Sequence, residues 1–179
     1  RGTLEHAGLA RRGFNQEPAG RSPALWACGT LSKALGGFGG ILPGSRALIE
    51  RIKRGTPYGA AASGPPVPVA AASARALEIA SEHPELRERL RENAAHLKSG
   101  LRRMGLQVHD SPVPIAAIAF DTAERMRQVQ AALAGRGVWI AYLPAYSGVG
   151  LQGVLRIAVF ATHATAMIDR LLEELASAV

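Results

Sequence analysis

Apolar residues recur along this chain with two periods, and the switch between them divides it. In residues 84–104, leucines at 86, 90, 97 and 101 repeat at helical spacing between charged positions, and Gly105 is placed to stop the helix. Upstream, Ser45 is a good N-cap for a helix through Arg54 with Leu48, Ile49 and Ile52 on one face. A second, alanine-rich helix with closely packed faces is predicted from the prolines at 65, 66 and 68 to about Glu82, because proline is tolerated in a first helical turn. His83-Pro84 breaks it, since the residue before proline disfavours helix. Short apolar runs at 23–29 and 39–43 read as strands on either side of a glycine turn.

Beyond residue 105 the pattern alternates between short apolar runs and helical stretches. Leu106–His109, Ile115–Phe120, Gly137–Leu143 and Val154–Phe160 are predicted strands. Ala123–Ala134 and Thr162–Ala178 are predicted amphipathic helices, with Met126, Val129 and Leu133, and Ile168, Leu171, Leu172 and Leu175, facing inward. The order β-β-α-β-β-α implies a small α+β domain, a short antiparallel sheet with helices on one face. The boundary falls near 84. Residues 1–22 are polar and glycine-containing, read as irregular chain, and begin without a methionine, so the sequence is expected to be a fragment. They have no apolar stretch of the kind a signal peptide carries, and no run of 18 or more apolar residues predicts a membrane span.

Composition narrows the function. With 47% hydrophobic and 20% charged residues in 179, a packed core is affordable and wholesale disorder is not expected. The single cysteine, Cys28, excludes an internal disulfide framework and a cysteine zinc site, and is expected to be a small core residue. The histidines at 83, 96 and 109 show no metal-ligand spacing. A net charge of +7 invites a nucleic-acid role. The arginines are scattered, however, and Arg87, Arg89 and Arg91 alternate with Glu85, Glu88 and Glu92 as on a solvated helix face. No aromatic residues interleave with a basic stripe, so the charge reads as surface rather than as a nucleic-acid platform.

Lys33 carries the chemistry. Lysine occurs only at 33, 53 and 98, whereas arginine supplies the remaining positive charge. Lys33 sits in Thr30-Leu31-Ser32-Lys33-Ala34-Leu35-Gly36-Gly37-Phe38-Gly39-Gly40, after an apolar strand and inside a turn of small residues. Arginine could supply a charge there but cannot form a Schiff base, whereas a primary amine can. The hydroxyls of Thr30 and Ser32 and the turn N–H groups suit a phosphate, and the glycines let backbone approach a flat ring. Together these point to pyridoxal 5′-phosphate (PLP), with a merely structural glycine turn as the alternative. The pattern GxxxxGK[ST] is absent, which removes the nucleotide-binding version.

The segment TLSKALGGFG resembles the PLP-attachment signature of class II aminotransferases and α-oxoamine synthases at every position. Arg1-Gly2-Thr3-Leu4-Glu5-His6, Pro65-Pro66 with the helix after it, and Leu155-Arg156-Ile157 followed by Ala161-Thr162-His163 are similar to further segments of that family, so the resemblance covers essentially the whole chain. It implies the C-terminal part of a fold type I PLP-dependent α/β transferase. Residues 1–84 would be the end of the PLP-binding large domain and 85–179 the small α+β domain. It implies an acyltransferase that condenses an amino acid with an acyl-CoA, cytoplasmic and homodimeric when full length, the fragment being inactive alone. A class II aminotransferase working without CoA is the alternative, and a basic non-enzymatic binding module is an alternative of another class.

The resemblance gives roles to particular residues. Lys33 would bind the cofactor and act as catalytic base, with Thr30 and Ser32 beside the phosphate. Arg156 would clamp the substrate carboxylate, whereas from its place in an apolar strand alone it would simply face solvent. The aspartate that pairs with the pyridine nitrogen and the histidine that stacks on the ring belong to the family's upstream half and have no counterpart here. Ala60-Ala61-Ala62-Ser63-Gly64 departs from the family's pattern, in which a Ser or Thr pair reaches a neighbouring subunit's cofactor phosphate. His6 reads as structural and His163 as a capping or packing residue, while Tyr142, Tyr146 and the 144–150 loop could line an acyl channel.

Overall fold

The computed structural model describes residues 28–57, 63–144 and 149–179. The segment 1–22, most of the expected strand at 23–29, Ala60–Ala62 and Tyr146 lie outside them. The chain groups into two compact units, one up to Pro84 and one spanning Glu85–Val179.

In the first unit, β1 (Gly29–Thr30) and β2 (Gly40–Ile41) form an antiparallel ribbon that pairs Gly29 with Ile41 and Thr30 with Gly40. Helix α1 (Arg46–Gly55) starts at Ser45, whose hydroxyl accepts from the Leu48 N–H, as its sequence signal requires. Leu48 is buried, and Lys53 and Arg54 sit in the last turn, where the helix dipole favours cations. Helix α2 (Val67–Glu82) begins behind Pro66, carries Pro68 in its first turn and ends at His83. Its alanine faces are not closely packed: Ser73 is its one buried residue, because a two-stranded ribbon offers no broad surface to cover it. Cys28 is exposed rather than in a core for the same reason.

The second unit is a three-stranded antiparallel sheet with helices on one face. After α3 (Pro84–Arg103) come β3 (Ile115–Ile118), α4 (Ala123–Gly135), β4 (Ala141–Leu143), β5 (Val154–Ala158) and α5 (Thr165–Ala176). The order across the sheet is β3-β5-β4, with β5 central. Leu155 and Ile157 of β5 join Ala116 and Ile118 of β3, Leu97 and Leu101 of α3, Met126, Val129 and Leu133 of α4 and Ile168 and Leu175 of α5 in one core. The two periods seen in the sequence meet here, period 2 from the strands and 3.6 from the helices.

The order is β-α-β-β-α, one strand short of the predicted pattern. Leu106–His109 is not a strand, because its backbone is engaged elsewhere. Gly105, at φ +79°, ends α3 with its N–H on the Arg102 carbonyl, and the Leu106 N–H returns to the Leu101 carbonyl, a left-handed cap. Leu106 and Val108 still pack against the core, which explains their apolar signal. The strand expected over 137–143 shortens to β4 for a like reason. Gly137 and Val138 donate to the carbonyls of Ala134 and Leu133 and so cap α4.

Two buried polar side chains tie the loops down. Asn93 donates through Nδ2 to the carbonyls of Phe160 and His163, each at 2.9 Å, and so holds the chain between β5 and α5. Lys98, 4% exposed, spends its ammonium protons on the Ser111 carbonyl (2.5 Å), the Ser111 hydroxyl (3.2 Å) and the Val113 carbonyl (2.8 Å). Burial and the neighbouring Arg102 guanidinium pull its pKa below the ordinary lysine range, with Asp110 opposing them. No helix among the described residues is long and apolar enough to cross a membrane.

Candidate functional site

The turn between β1 and β2 is built from its own hydrogen bonds. Leu31 donates its N–H to the Gly39 carbonyl at 2.9 Å, Gly37 to the Leu31 carbonyl at 2.7 Å and Gly36 to the Lys33 carbonyl at 3.0 Å. Gly36 and Gly39 have φ of +60° and +90°, a region that side chains with a Cβ rarely adopt. Gly37 is required for another reason. A Cβ there would overlap the Ser73 hydroxyl oxygen and stand 3.2 Å from Ser73 Cβ and 3.3 Å from the Leu31 carbonyl oxygen. The turn therefore rests directly on α2, and Ser73, its hydroxyl donating to the Val69 carbonyl at 2.9 Å, is the contact. Gly37→Ala is expected to destabilise the chain by about 1–3 kcal/mol through overpacking. Ser73→Gly in that background should restore most of the loss, read as the urea unfolding midpoint.

Thr30, Ser32 and Lys33 come together on the exposed side of this turn. Thr30 Oγ1 and Ser32 Oγ are 2.6 Å apart, the Ser32 N–H donates to Thr30 Oγ1 at 3.1 Å, and Thr30 Oγ1 lies 3.3 Å from the Gly39 carbonyl. The two hydroxyls form a relay. The single Thr30 hydroxyl proton has two acceptors in reach, the Gly39 carbonyl and Ser32 Oγ; when it goes to Ser32, the Ser32 proton is left for an outside anion. Lys33 differs from the other lysines. Lys53 is paired with Glu50 at 3.5 Å, and Lys98 is consumed by its three acceptors. The Lys33 ammonium has no hydrogen-bond or ion-pair partner among the described residues, and it is exposed in the same turn as the two hydroxyls.

Arg156 belongs to the second unit. It is exposed at the middle of β5, between the buried Leu155 and Ile157, which point to the opposite face. It pairs across the sheet with Ala117 of β3 and Ala141 of β4. Among the described residues its guanidinium has neither an acidic nor a hydrogen-bonding partner, unlike Arg102, Arg127 and Arg136, which are paired with Asp110, Glu124 and Glu174. A planar cation left unpaired on an apolar face can take a carboxylate through two N–H groups.

The remaining candidates are structural in their contacts. His163 accepts the Phe160 N–H on Nδ1 at 3.4 Å and packs edge-to-face with the Phe160 ring, whose centroid is 5.3 Å away. Tyr142 donates to the Gln152 carbonyl at 2.8 Å, and the Arg127 guanidinium lies over its ring, so it anchors the loop before β5. His96 Nε2 meets Asp169 Oδ1 at 2.5 Å and joins α3 to α5. Ser63, which alone keeps a hydroxyl in the departing loop, is exposed. Sequence reasoning singled out none of Ala117, Ala141 and Asn93. The pairing of the two alanines with Arg156 is set by strand register, and Asn93 has no local signal because its partners lie 67 and 70 residues away.

The fold is that of the C-terminal part of a fold type I PLP-dependent transferase. It superposes with a TM-score of 0.80 on a serine palmitoyltransferase of Sphingomonas wittichii that is 20% identical, over 99% of this chain and 42% of that one. A further serine palmitoyltransferase structure, determined with PLP as an internal aldimine, gives a TM-score of 0.77 at 24% identity, over 86% of this chain and 39% of that one. The profile of aminotransferase class I and II matches residues 6–175, and the chain belongs to that family. Among its relatives, the 8-amino-7-oxononanoate synthase of Methylococcus capsulatus is 36% identical over 180 residues, covering 100% of this chain. The chain spans 44% of the length of that relative.

Proposed function

We propose that this chain carries the cofactor-anchoring lysine and the carboxylate-binding domain of a PLP-dependent acyltransferase that condenses an amino acid with an acyl-CoA, of the 8-amino-7-oxononanoate synthase type. The observation that carries this reading is Lys33: an amine with no partner among the described residues, in the same glycine turn as the paired Thr30 and Ser32 hydroxyls, in a chain 36% identical along its whole length to such a synthase. The residues present fit PLP. Lys33 Nζ would hold it by its aldehyde carbon, and the Thr30–Ser32 relay would present a donor to its phosphate. Bound there, PLP supplies an electron sink for negative charge at the amino acid's Cα.

The chain's own residues do the rest. Arg156 grips the substrate α-carboxylate and fixes its orientation. Lys33 Nζ, freed when the substrate's amino group takes its place, would take the proton from Cα, leaving that carbon to attack the acyl-CoA thioester while CoA leaves, protonated, as a free thiol and the α-carboxylate is lost as carbon dioxide during or after the step. The partners are therefore an amino acid and an acyl-CoA, and the whole protein is read as a cytoplasmic homodimer. Its family and the CoA-consuming chemistry of this synthase type support that reading. Neither nucleic acid nor a membrane span enters it.

The test is thiol release. The whole protein with PLP, an amino acid and an acyl-CoA should liberate CoA, detected with a thiol reagent, only when all three are present. Amino-group exchange with a 2-oxo acid and no thiol release would instead identify a class II aminotransferase. A chain that does not capture PLP at all would favour the non-enzymatic binding module.

A further inference from the structure

We propose that Ala117 and Ala141 are specificity-determining residues of the carboxylate site, keeping both flanks of the Arg156 guanidinium open to a planar anion. This rests on the reading of Arg156 as the carboxylate clamp. The register places Arg156 directly opposite Ala117 on one side and Ala141 on the other. Opposed residues in an antiparallel pair share a face, with Cβ atoms about 5 Å apart, so these two side chains form the immediate walls beside the guanidinium.

By the same alternation that face carries Ile115 and Ala117 from β3, Val154, Arg156 and Ala158 from β5, and Ala141 and Leu143 from β4. Arg156 is its one charged residue. None of these strand residues carries a hydroxyl or a carboxylate, so none of them competes with an incoming anion for the five N–H donors.

The choice of alanine runs against sheet preference. Strands favour β-branched and aromatic residues, and alanine is depleted in them. Ala116 is explained by close packing, since it is buried against the helices. Ala117 and Ala141 are exposed, so burial does not demand a small residue at either position. Of the three strand alanines on this face, Ala158 lies on the arginine's own strand and is half-buried, whereas the two exposed ones, Ala117 and Ala141, are the cross-strand partners of Arg156. A leucine or valine at either position would lie against the guanidinium and cover one of the edges through which it forks onto a carboxylate.

The experiment compares Ala117→Leu and Ala141→Leu with Ala117→Gly, which opens the flank without adding a polar group, and with Arg156→Ala. The first readout needs no cofactor: the rate at which phenylglyoxal, an arginine-selective dicarbonyl, modifies Arg156, followed by mass spectrometry of the peptide containing it. Both leucine variants should slow this modification and Ala117→Gly should not. The second is steady-state kinetics of the whole protein. Losing half of a bidentate pair should raise the amino-acid KM about tenfold, with kcat and the acyl-CoA KM little changed. The substituted side chains are exposed and no ladder hydrogen bond is removed, so unfolding midpoints should stay near wild type. Ala117→Thr, a better strand former, stands in if a leucine variant does not fold. Wild-type labelling and wild-type KM in the leucine variants would overturn the proposal. If they keep a wild-type KM while Arg156→Ala raises it, the proposal falls and the clamp stands. If Arg156→Ala also leaves KM unchanged, the clamp reading falls with it.

Discussion

Lys33→Ala in the whole protein is expected to reduce borohydride trapping of PLP to background, and Lys33→Arg to do the same. The arginine variant is the more informative, because it retains the positive charge and loses only the nucleophilic amine. A guanidinium is delocalised and stays protonated, so it cannot add to an aldehyde at neutral pH. The structure makes this the largest expected effect, since no other lysine can replace Lys33. Lys53 is exposed and paired with Glu50 on α1, and Lys98 is buried with its donors committed to Ser111 and Val113. Mass spectrometry of the reduced protein should place the pyridoxyl group on the peptide containing Lys33. A label on either other lysine, or undiminished trapping in either variant, would sink the assignment. Because the Lys33 side chain is exposed and makes no hydrogen bond to other described residues, both variants should unfold within about 0.5 kcal/mol of wild type.

Arg156→Ala should weaken amino-acid binding while leaving cofactor capture intact. Removing one member of a charge-assisted bidentate pair costs about 2–5 kcal/mol, or roughly 30-fold or more in affinity. The amino-acid KM, or a spectroscopic titration with glycine, alanine and serine, reads it directly. Arg156→Lys should recover only part of the loss, since an ammonium is a point charge without the planar fork. Stability should not change, because the guanidinium is exposed and supports nothing in its own unit. That separates it from Asn93, whose removal would strip two backbone carbonyls of their donor. If all three amino acids bind Arg156→Ala as tightly as wild type, Arg156 is a surface residue and the carboxylate site lies elsewhere.

The chain itself determined whatever depends on neighbours in sequence. Helices α1 to α5 follow from apolar spacing with local stops, such as the Ser45 cap, the His83-Pro84 break and Gly105. These signals survive because capping and helical periodicity act within a few residues. The Lys33 turn was legible for the same reason, its hydroxyls, amine and glycines lying within eleven consecutive positions. Tertiary structure decided what depends on competition for backbone partners. Leu106–His109 has a strand's apolar content, yet the cap of α3 takes the Leu106 N–H that a ladder would need.

Burial was decided there too. Cys28 and the alanines of α2 are apolar enough for a core, but exposure depends on what stands opposite, which composition does not encode. The surroundings of Arg156 show the division most plainly. The sequence placed an arginine between two core residues of a strand. Only the pairing of β5 with both β3 and β4 set Ala117, 39 positions before it, and Ala141, 15 positions before it, against its two sides. Strand register is a long-range property, selected by which faces can be buried together, and it alone sets two unremarkable alanines opposite Arg156.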